Sequence, residues 1–282
     1  GATATNERYR RVHAAGFRLI HLDEESAVYP GDEAEWEHWL LQRLGTLGFS
    51  APDAICAWGK WQSQVLTGTA GIAREVVLTT GHPRFDLCQA FFGAYREEAD
   101  SIKRDLGDFV LLNTNFGAGN SVLGTKTYFS PVEGYRPNDR AQRLTYVRDW
   151  KLSACGAPAF VGLLHEICEE FPKLQFVLRP HPSEDFDFYR ATTRGLKNVS
   201  VNARGNVIAW IAACRAMIHN GCTTAIEGHL AGARVLSYCP KELGRGSTWI
   251  TSVFGQECTT PQEIGDALTS MGGADPPAIT AA

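Results

Sequence analysis

Several familiar signatures are missing from these 282 residues. No stretch of about 18 apolar residues occurs, so no segment reads as a membrane-spanning helix. Neither a Walker sequence nor G-x-G-x-x-G is present, which argues against a P-loop nucleotide hydrolase and a dinucleotide oxidoreductase of the usual kind. No basic run stands out: 27 Lys and Arg stand against 31 Asp and Glu, a formal net charge of -4. Nucleic acid is therefore not expected as a partner. No C-x-x-C pair or close Cys/His spacing marks a zinc site. The eight cysteines (Cys56, Cys88, Cys155, Cys168, Cys214, Cys222, Cys239, Cys258) are scattered singly, most in apolar surroundings, where a reduced thiol behaves as a small hydrophobe. That usage fits a reducing, cytoplasmic compartment, and no secretory signal peptide is visible. Asp185 and Asp187 have the Asp-x-Asp spacing of a metal-binding pair but read as the opening of a helix. Neither metal nor cofactor is expected.

What is present is an ordinary globular composition, 44% hydrophobic and 21% charged. Its periodicity alternates between strand and helix. Strands are expected at 17–22, 53–58, 75–80, 109–113, 174–178, 199–201, 216–218 and 234–238. Helices are expected at 6–15, 35–47, 60–68, 86–99, 144–171 (interrupted near Gly156 and Pro158), 186–194, 207–214, 224–231 and 261–270. Such alternation is the mark of parallel sheets covered by helices on both faces. Between 120 and 145 the pattern fades into Gly, Pro, Ser and charged residues, read as a mobile loop leading to a linker. The α/β chain is thus expected to form two Rossmann-like domains facing a cleft, at 1–140 and 141–282, with a frayed tail from 274. A Rossmann-like half normally opens on a strand, so beginning on a helix suggests that a first β-unit lies upstream of Gly1.

The stretch 216–240 organises the reading. It is a strand, a polar turn, a helix and a second strand, and its turn sets Gly221, Cys222, Thr223 and Thr224 at a helix start. Free N–H groups and the helix dipole favour an anion there, although a threonine that merely caps the helix is the plainer alternative. His219, Asn220 and Glu227 cluster beside it, where capping would need one hydroxyl. A second polar tip carries Arg179, His181 and Ser183: the guanidinium is a forked phosphate donor, and prolines on both sides hold the imidazole. Asn113 and Asn115 leave a third strand. In the first half, Asp23, Glu24 and Glu25 follow a strand directly, at the edge where open α/β sheets place ligands. They could be a solvated helix start, or supply a general base whose pKa is raised by like-charged neighbours.

Leu22-Asp23-Glu24-Glu25, Thr80-Gly81-His82-Pro83-Arg84-Phe85-Asp86, Leu112-Asn113-Thr114-Asn115-Phe116, Arg179-Pro180-His181-Pro182-Ser183-Glu184 and the run from His219 to Glu227 together resemble the bacterial surface carbohydrate (surface polysaccharide) biosynthesis proteins. The resemblance implies a two-domain GT-B glycosyltransferase, with an N-terminal acceptor side and a C-terminal nucleotide-donor side. It implies a nucleotide-sugar donor and a glycan acceptor, with work at the inner face of the cytoplasmic membrane. The His-Pro pair is similar to that of sialyltransferases and Kdo transferases, which use CMP-sugars. On that analogy Glu24 or Glu25 deprotonates the acceptor, and His181 with the Thr223 and Thr224 turn holds the CMP phosphate. Ser26 stands where those enzymes place glycine. Transfer of a polyol phosphate from a CDP donor, sugar-nucleotide 2-epimerisation, and a non-catalytic nucleotide-binding scaffold are the alternatives.

Overall fold

Two separate parallel sheets carry the fold. The computed structural model describes residues 2–23, 33–41, 44, 48–89, 93, 95–243, 251 and 253–270. The chain divides into Gly1–Arg84 with Val132–Gly134, and Phe85–Pro131 with Tyr135–Ala282.

In the first unit, α1 (Ala2–Ala14) precedes β1 (Ile20–Leu22), α2 (Glu33–Leu40), β2 (Ala54–Ala57), α3 (Lys60–Gln64, continued by a wider turn Val65–Thr69) and β3 (Val77–Thr79). The strands pair in the order β1-β2-β3, all parallel. Leu40, Leu44, Ile55, Ala57, Leu66 and Val76 form its core. The strand expected at 17–22 is confined to Ile20–Leu22 and lies at the sheet edge, with Ile20 and Leu22 exposed. The helix expected at 86–99 is replaced by a short turn, α4 (Pro83–Asp86), and by α5 (Arg96–Leu106). Gly93 between them has a φ of 56°, in the left-handed region that a continuing helix cannot use.

The second unit continues with β4 (Phe109–Asn113), α6 (Thr125–Tyr128), α7 (Arg140–Glu170), β5 (Gln175–Arg179), α8 (Phe186–Thr192), β6 (Val199–Val201), α9 (Val207–Ala213), β7 (Ala216–His219), α10 (Thr224–Leu230), β8 (Arg234–Tyr238), β9 (Gln256–Cys258) and α11 (Pro261–Ser270). Its six strands run in the order β6-β5-β4-β7-β8-β9, every pair parallel. Counted within the sheet this is 3-2-1-4-5-6, the Rossmann order, whose direction of winding reverses between β4 and β7.

That topology moves the expected boundary from 140 to the neighbourhood of Arg84. The strand β4, assigned from sequence to the first domain, is the central strand of the second sheet, hydrogen-bonded on both sides. The 120–145 region accordingly belongs almost wholly to the second unit rather than linking two halves. The six-stranded sheet is buried on both faces, which explains its nearly uninterrupted apolar strands. Phe109, Leu111, Val177, Met217 and Val235 join Trp210, Ile211 and Ala225 on one face; Val110, Leu112, Phe176, Ile218 and Leu236 join Phe160, Leu163, Leu164 and Ile167 of α7 on the other.

The helix α7 runs unbroken for 31 residues despite Pro158. Proline removes one rung of the hydrogen-bond ladder, to the carbonyl of Ala154. At that turn the chain after β4 presses on the helix. The Gly119 N–H donates to Ser153 Oγ at 2.8 Å, and a Cβ on Gly119 would overlap the backbone of Ala154.

Candidate functional site

The second unit places a row of polar residues across its sheet. Arg179, Asn113, His219 and Ser237 are partners in register on the adjacent strands β5, β4, β7 and β8. They extend the face lined deeper in the sheet by Val177, Leu111, Met217 and Val235. Each is the polar continuation of an apolar column at the carboxyl ends of the strands. Asn113 and His219 flank the point where the winding reverses, the place where open α/β sheets hold their ligands.

Asn113, His219 and Ser237 are nevertheless buried. The Asn113 amide nitrogen contacts Met217 Sδ at 3.2 Å, and its Oδ1 makes no hydrogen bond among the described residues. His219 Nδ1 accepts the Gly221 N–H at 2.9 Å, which puts the ring proton on Nε2, an atom also lacking a partner among the described residues. Burial depresses the His219 pKa to about 3, so the ring is neutral near pH 7. Asn220 Nδ2 donates to the Asn115 carbonyl at 3.4 Å, tying the turn after β7 to the turn after β4.

The turn after β5 is organised by Glu184, whose side chain is fully buried. Its Oε1 accepts from Thr114 Oγ1 at 2.8 Å and from the His181 N–H at 3.0 Å, and its Oε2 accepts from the Tyr189 hydroxyl. Burial, with Glu184 alongside, pushes the Tyr189 hydroxyl well above its ordinary pKa. One carboxylate thus joins the turn after β4, the backbone of His181 and the helix α8. Val122 N–H to Ser183 O and Asp185 N–H to Asn120 O, at 2.9 and 2.8 Å, complete the joint. His181 itself is exposed. Its Nδ1 accepts the Ser183 N–H at 3.2 Å, with Ser183 Oγ at 2.7 Å, so the neutral ring offers an Nε2–H.

Arg179 differs from expectation. The two terminal nitrogens of its guanidinium donate to the Arg204 and Gly205 carbonyls, at 2.8 and 2.7 Å, and its carbon lies 5.8 Å from the centre of the Trp210 ring. The fork assigned to phosphate clamps the loop between β6 and α9, because those carbonyls approach closely and indole offers its face. Burial lowers the Arg179 pKa, opposed by the nearby Glu98. Thr223 and Thr224 also depart from the plainer alternative: the start of α10 has no side-chain cap, and Thr224 Oγ1 meets Cys222 Sγ instead. Burial raises the Cys222 pKa to about 11, which keeps it a thiol. Glu227 is fully buried in the first turn of α10. Asp185 caps α8 by accepting the Asp187 N–H.

In the first unit, Asp23 is buried just past β1, and Gln62 Nε2 donates to its Oδ2 at 2.9 Å. Gln62 Oε1 accepts the Trp58 N–H at 2.6 Å, while the Trp58 indole N–H donates to the Asp23 carbonyl. The rings of Trp58 and His82 meet edge to face with centroids 4.4 Å apart. This cluster gathers the ends of β1, β2 and β3. Glu24 and Glu25, the expected bases, lie outside the described residues.

Gln62, Trp58, His82, Thr114, Glu184 and Ser237 were not singled out as site residues from sequence. His82, Thr114 and Glu184 sit inside the quoted motifs, which was the available signal; Gln62 had none, since its partner Asp23 is remote in the chain.

No protein-family model and no curated protein sequence matches the chain. Among solved structures it is similar to UDP-GlcNAc 2-epimerase of Methanocaldococcus jannaschii in complex with UDP-GlcNAc and UDP. The TM-score is 0.55 at 12% identity, over 96% of this chain and 68% of that one. It is also similar to the wall teichoic acid polymerase TagF: a variant gives a TM-score of 0.51 at 11% identity, over 90% and 59% of the two chains. The same variant with CDPG gives 0.50 at 9% identity, over 89% and 56%. The chain therefore spans less than three fifths of the polymerase structures. At these identities the likeness is one of fold: two parallel α/β sheets in two Rossmann-like units of the GT-B kind.

Proposed function

We propose that the chain is a metal-independent glycosyltransferase of surface polysaccharide biosynthesis, moving a sugar from a nucleotide-activated donor to a glycan hydroxyl. The observation that carries this reading is the buried polar row Asn113–His219 at the winding reversal of the Rossmann-ordered sheet, with the His181 turn fixed one strand away. Adjacent strands are about 4.8 Å apart, so the turns after β5 and β7 start about 10 Å from each other, within the span of one sugar nucleotide. In this reading the second unit is the donor side and the first the acceptor side.

The Nε2–H of His181 donates to the leaving phosphate, while the backbone around Gly221, Cys222, Thr223 and Thr224 supports the same anion. Arg179 contributes indirectly, by holding the 204–205 carbonyls. The acceptor hydroxyl forms the new bond to the anomeric carbon as the bond to phosphate breaks. Glu24 or Glu25 takes the hydroxyl proton, and Asp23, held by Gln62, lends negative potential beside them. A CMP-linked donor is favoured by the His-Pro pair of the resemblance. The two similar structures hold UDP-GlcNAc with UDP, and CDPG, which suits a nucleotide diphosphate or monophosphate ligand of some kind.

Thermal unfolding in the presence of CMP, CDP, UDP and GDP tests this. Ligand at 100 times its Kd stabilises the folded state by about 2.7 kcal/mol, so a cytidine nucleotide raises the midpoint. His181→Ala removes that rise, and Glu24→Gln or Glu25→Gln keeps it while ending transfer. No response to either cytidine nucleotide sinks the CMP reading. A response to UDP with turnover of a UDP-sugar in the absence of acceptor replaces transfer by 2-epimerisation, the reading that the likeness to the archaeal epimerase supports. Polyol-phosphate transfer instead follows a CDP-linked donor, and binding without product leaves the scaffold.

A further inference from the structure

The helix α7 begins with four turns that bury nothing. Every residue from Arg140 to Cys155 is exposed or half-buried, and the fully buried positions start at Gly156. One side of this segment is covered by aromatic residues of the preceding loop. Tyr146 lies 5.0 Å from Tyr128 and 5.2 Å from Tyr135 between ring centroids, and Trp150 lies 6.0 Å from Phe129. The other side is exposed. At about 100° per residue, Arg140, Leu144, Val147, Arg148, Lys151 and Cys155 fall on one stripe, and all six are exposed. Leu144 and Val147 are 56% and 47% exposed, an aliphatic centre with cations on both flanks.

No acid shares the stripe. Asp139 is engaged as the helix cap, accepting the Gln142 N–H at 3.1 Å, and Asp149, about 100° further round the helix than Arg148, pairs with Arg148 at 3.4 Å at the edge of the stripe. The segment Arg140–Lys151 holds four cations and one acid within a chain of net charge -4. The loop before it adds Lys126 and the exposed Val122 and Leu123. A generally acidic molecule therefore carries one electropositive helical face with an apolar middle.

We propose that this stripe of α7 docks the protein on an anionic lipid bilayer. Leu144 and Val147 enter the boundary between headgroups and acyl chains, and Arg140, Arg148 and Lys151 meet lipid phosphates, the division of labour of interfacial amphipathic helices. Among the described residues no helix is long and apolar enough to cross a membrane, so the attachment is to one surface. The remaining acidic surface is repelled by the same bilayer, so this face sets the orientation. The proposal stands on the exposure and charge of α7 and does not depend on the identity of any donor.

Co-sedimentation of the full 282-residue chain with lipid vesicles decides it. Vesicles mixing phosphatidylglycerol with phosphatidylcholine should retain the protein at low salt, phosphatidylcholine alone should not, and added salt should release it. Leu144→Asp with Val147→Asp, and separately Arg140→Glu with Lys151→Glu, should each weaken retention by about tenfold or more, since a cation near such a surface contributes about 1 kcal/mol. All four side chains are exposed, so unchanged circular dichroism and thermal unfolding are expected and serve as the folding control. Equal retention on both vesicle types, or retention untouched by both double variants, overturns the proposal. So does a finding that Leu144→Asp with Val147→Asp splits a dimer without affecting vesicles, which would assign the stripe to a second copy, or that the stripe binds RNA and not lipid.

Discussion

The carboxyl edges of the two sheets solve the same problem differently. In the six-stranded sheet, polar residues continue apolar columns in register, and a single buried carboxylate, Glu184, joins the turns that surround them. In the three-stranded sheet, Asp23 is held by Gln62, and Gln62 by Trp58, within a cluster that also brings His82 to the ring of Trp58. The first arrangement spans a reversal of winding and leaves Asn113 Oδ1 and His219 Nε2 without protein partners among the described residues. The second follows strands in simple sequence order. A Rossmann-ordered sheet opens a crevice at its reversal, and buried polar atoms there cost stability unless a ligand completes them. On the reading proposed above, recognition belongs to the larger sheet, while the smaller presents a compact group of side chains around one carboxylate.

The sharpest way to break that contrast is at Glu184. Glu184→Ala leaves the Thr114 hydroxyl, the His181 N–H and the Tyr189 hydroxyl without their acceptor, and a buried unsatisfied group costs about 1–3 kcal/mol. A loss of about 4 kcal/mol from the second unit is expected in urea unfolding. Glu184→Gln should cost far less: its carbonyl can still serve Thr114 and His181, and the Tyr189 hydroxyl can turn to accept from the amide. If alanine costs under about 0.5 kcal/mol, no larger than a typical surface change, Glu184 does not organise the edge.

His219 gives the next largest effect, read through pH. Its folded-state pKa, about 3, lies below the unfolded value of about 6.5, so the unfolded chain takes up the proton first. The stability is fully present above pH 6.5 and is lost as pH falls toward 3, by at most about 1.4 kcal/mol per pH unit. Between pH 6.5 and 5 this amounts to about 2 kcal/mol, and His219→Gln should remove that part of the slope. An unchanged slope in the variant would mean that the ring is reached by solvent, and that the polar row is less buried than its geometry implies.

The sequence announced these edges unevenly. Phe109–Asn113, Gln175–Arg179 and Ala216–His219 are apolar runs that end on a polar residue, and a short buried strand with a polar tip is visible in any such run. Which sheet β4 joins was not visible, because strand pairing is non-local, and the domain boundary moved with it. Arg179 was recognisable as a strand-tip guanidinium, but the carbonyls that occupy it come from Arg204 and Gly205, and their approach has no local signature. Glu184 shows the same limit, since its partner Thr114 is 70 residues away and its burial depends on that meeting. The continuity of α7 through Pro158 was missed because local propensity argues for a break, whereas packing of Phe160, Leu163, Leu164 and Ile167 on the sheet holds the helix together.

A smaller effect tests the other side of the comparison, away from the carboxyl edge of the smaller sheet. Asp53, at the amino end of β2, accepts from the Leu19 N–H at 3.0 Å and the Ser50 N–H at 3.3 Å, with His13 Nε2 at 2.8 Å. Burial opposes its ionisation, but these donors outweigh burial and hold its carboxyl below the ordinary value. A depressed carboxylate stabilises the fold above its unfolded pKa of about 3.9, and that contribution disappears as pH falls through the lower folded value. Asp53→Asn should therefore cost the first unit about 1 kcal/mol at pH 7, the worth of a typical hydrogen bond. The two proteins should converge in stability once pH falls below the lowered folded value of Asp53. Because the partners of Asp53 among the described residues all lie in the first unit, the unfolding of the second should not shift. A shift shared equally by both units would show that they unfold together, and the comparison would then have to be drawn within one cooperative body instead of between two.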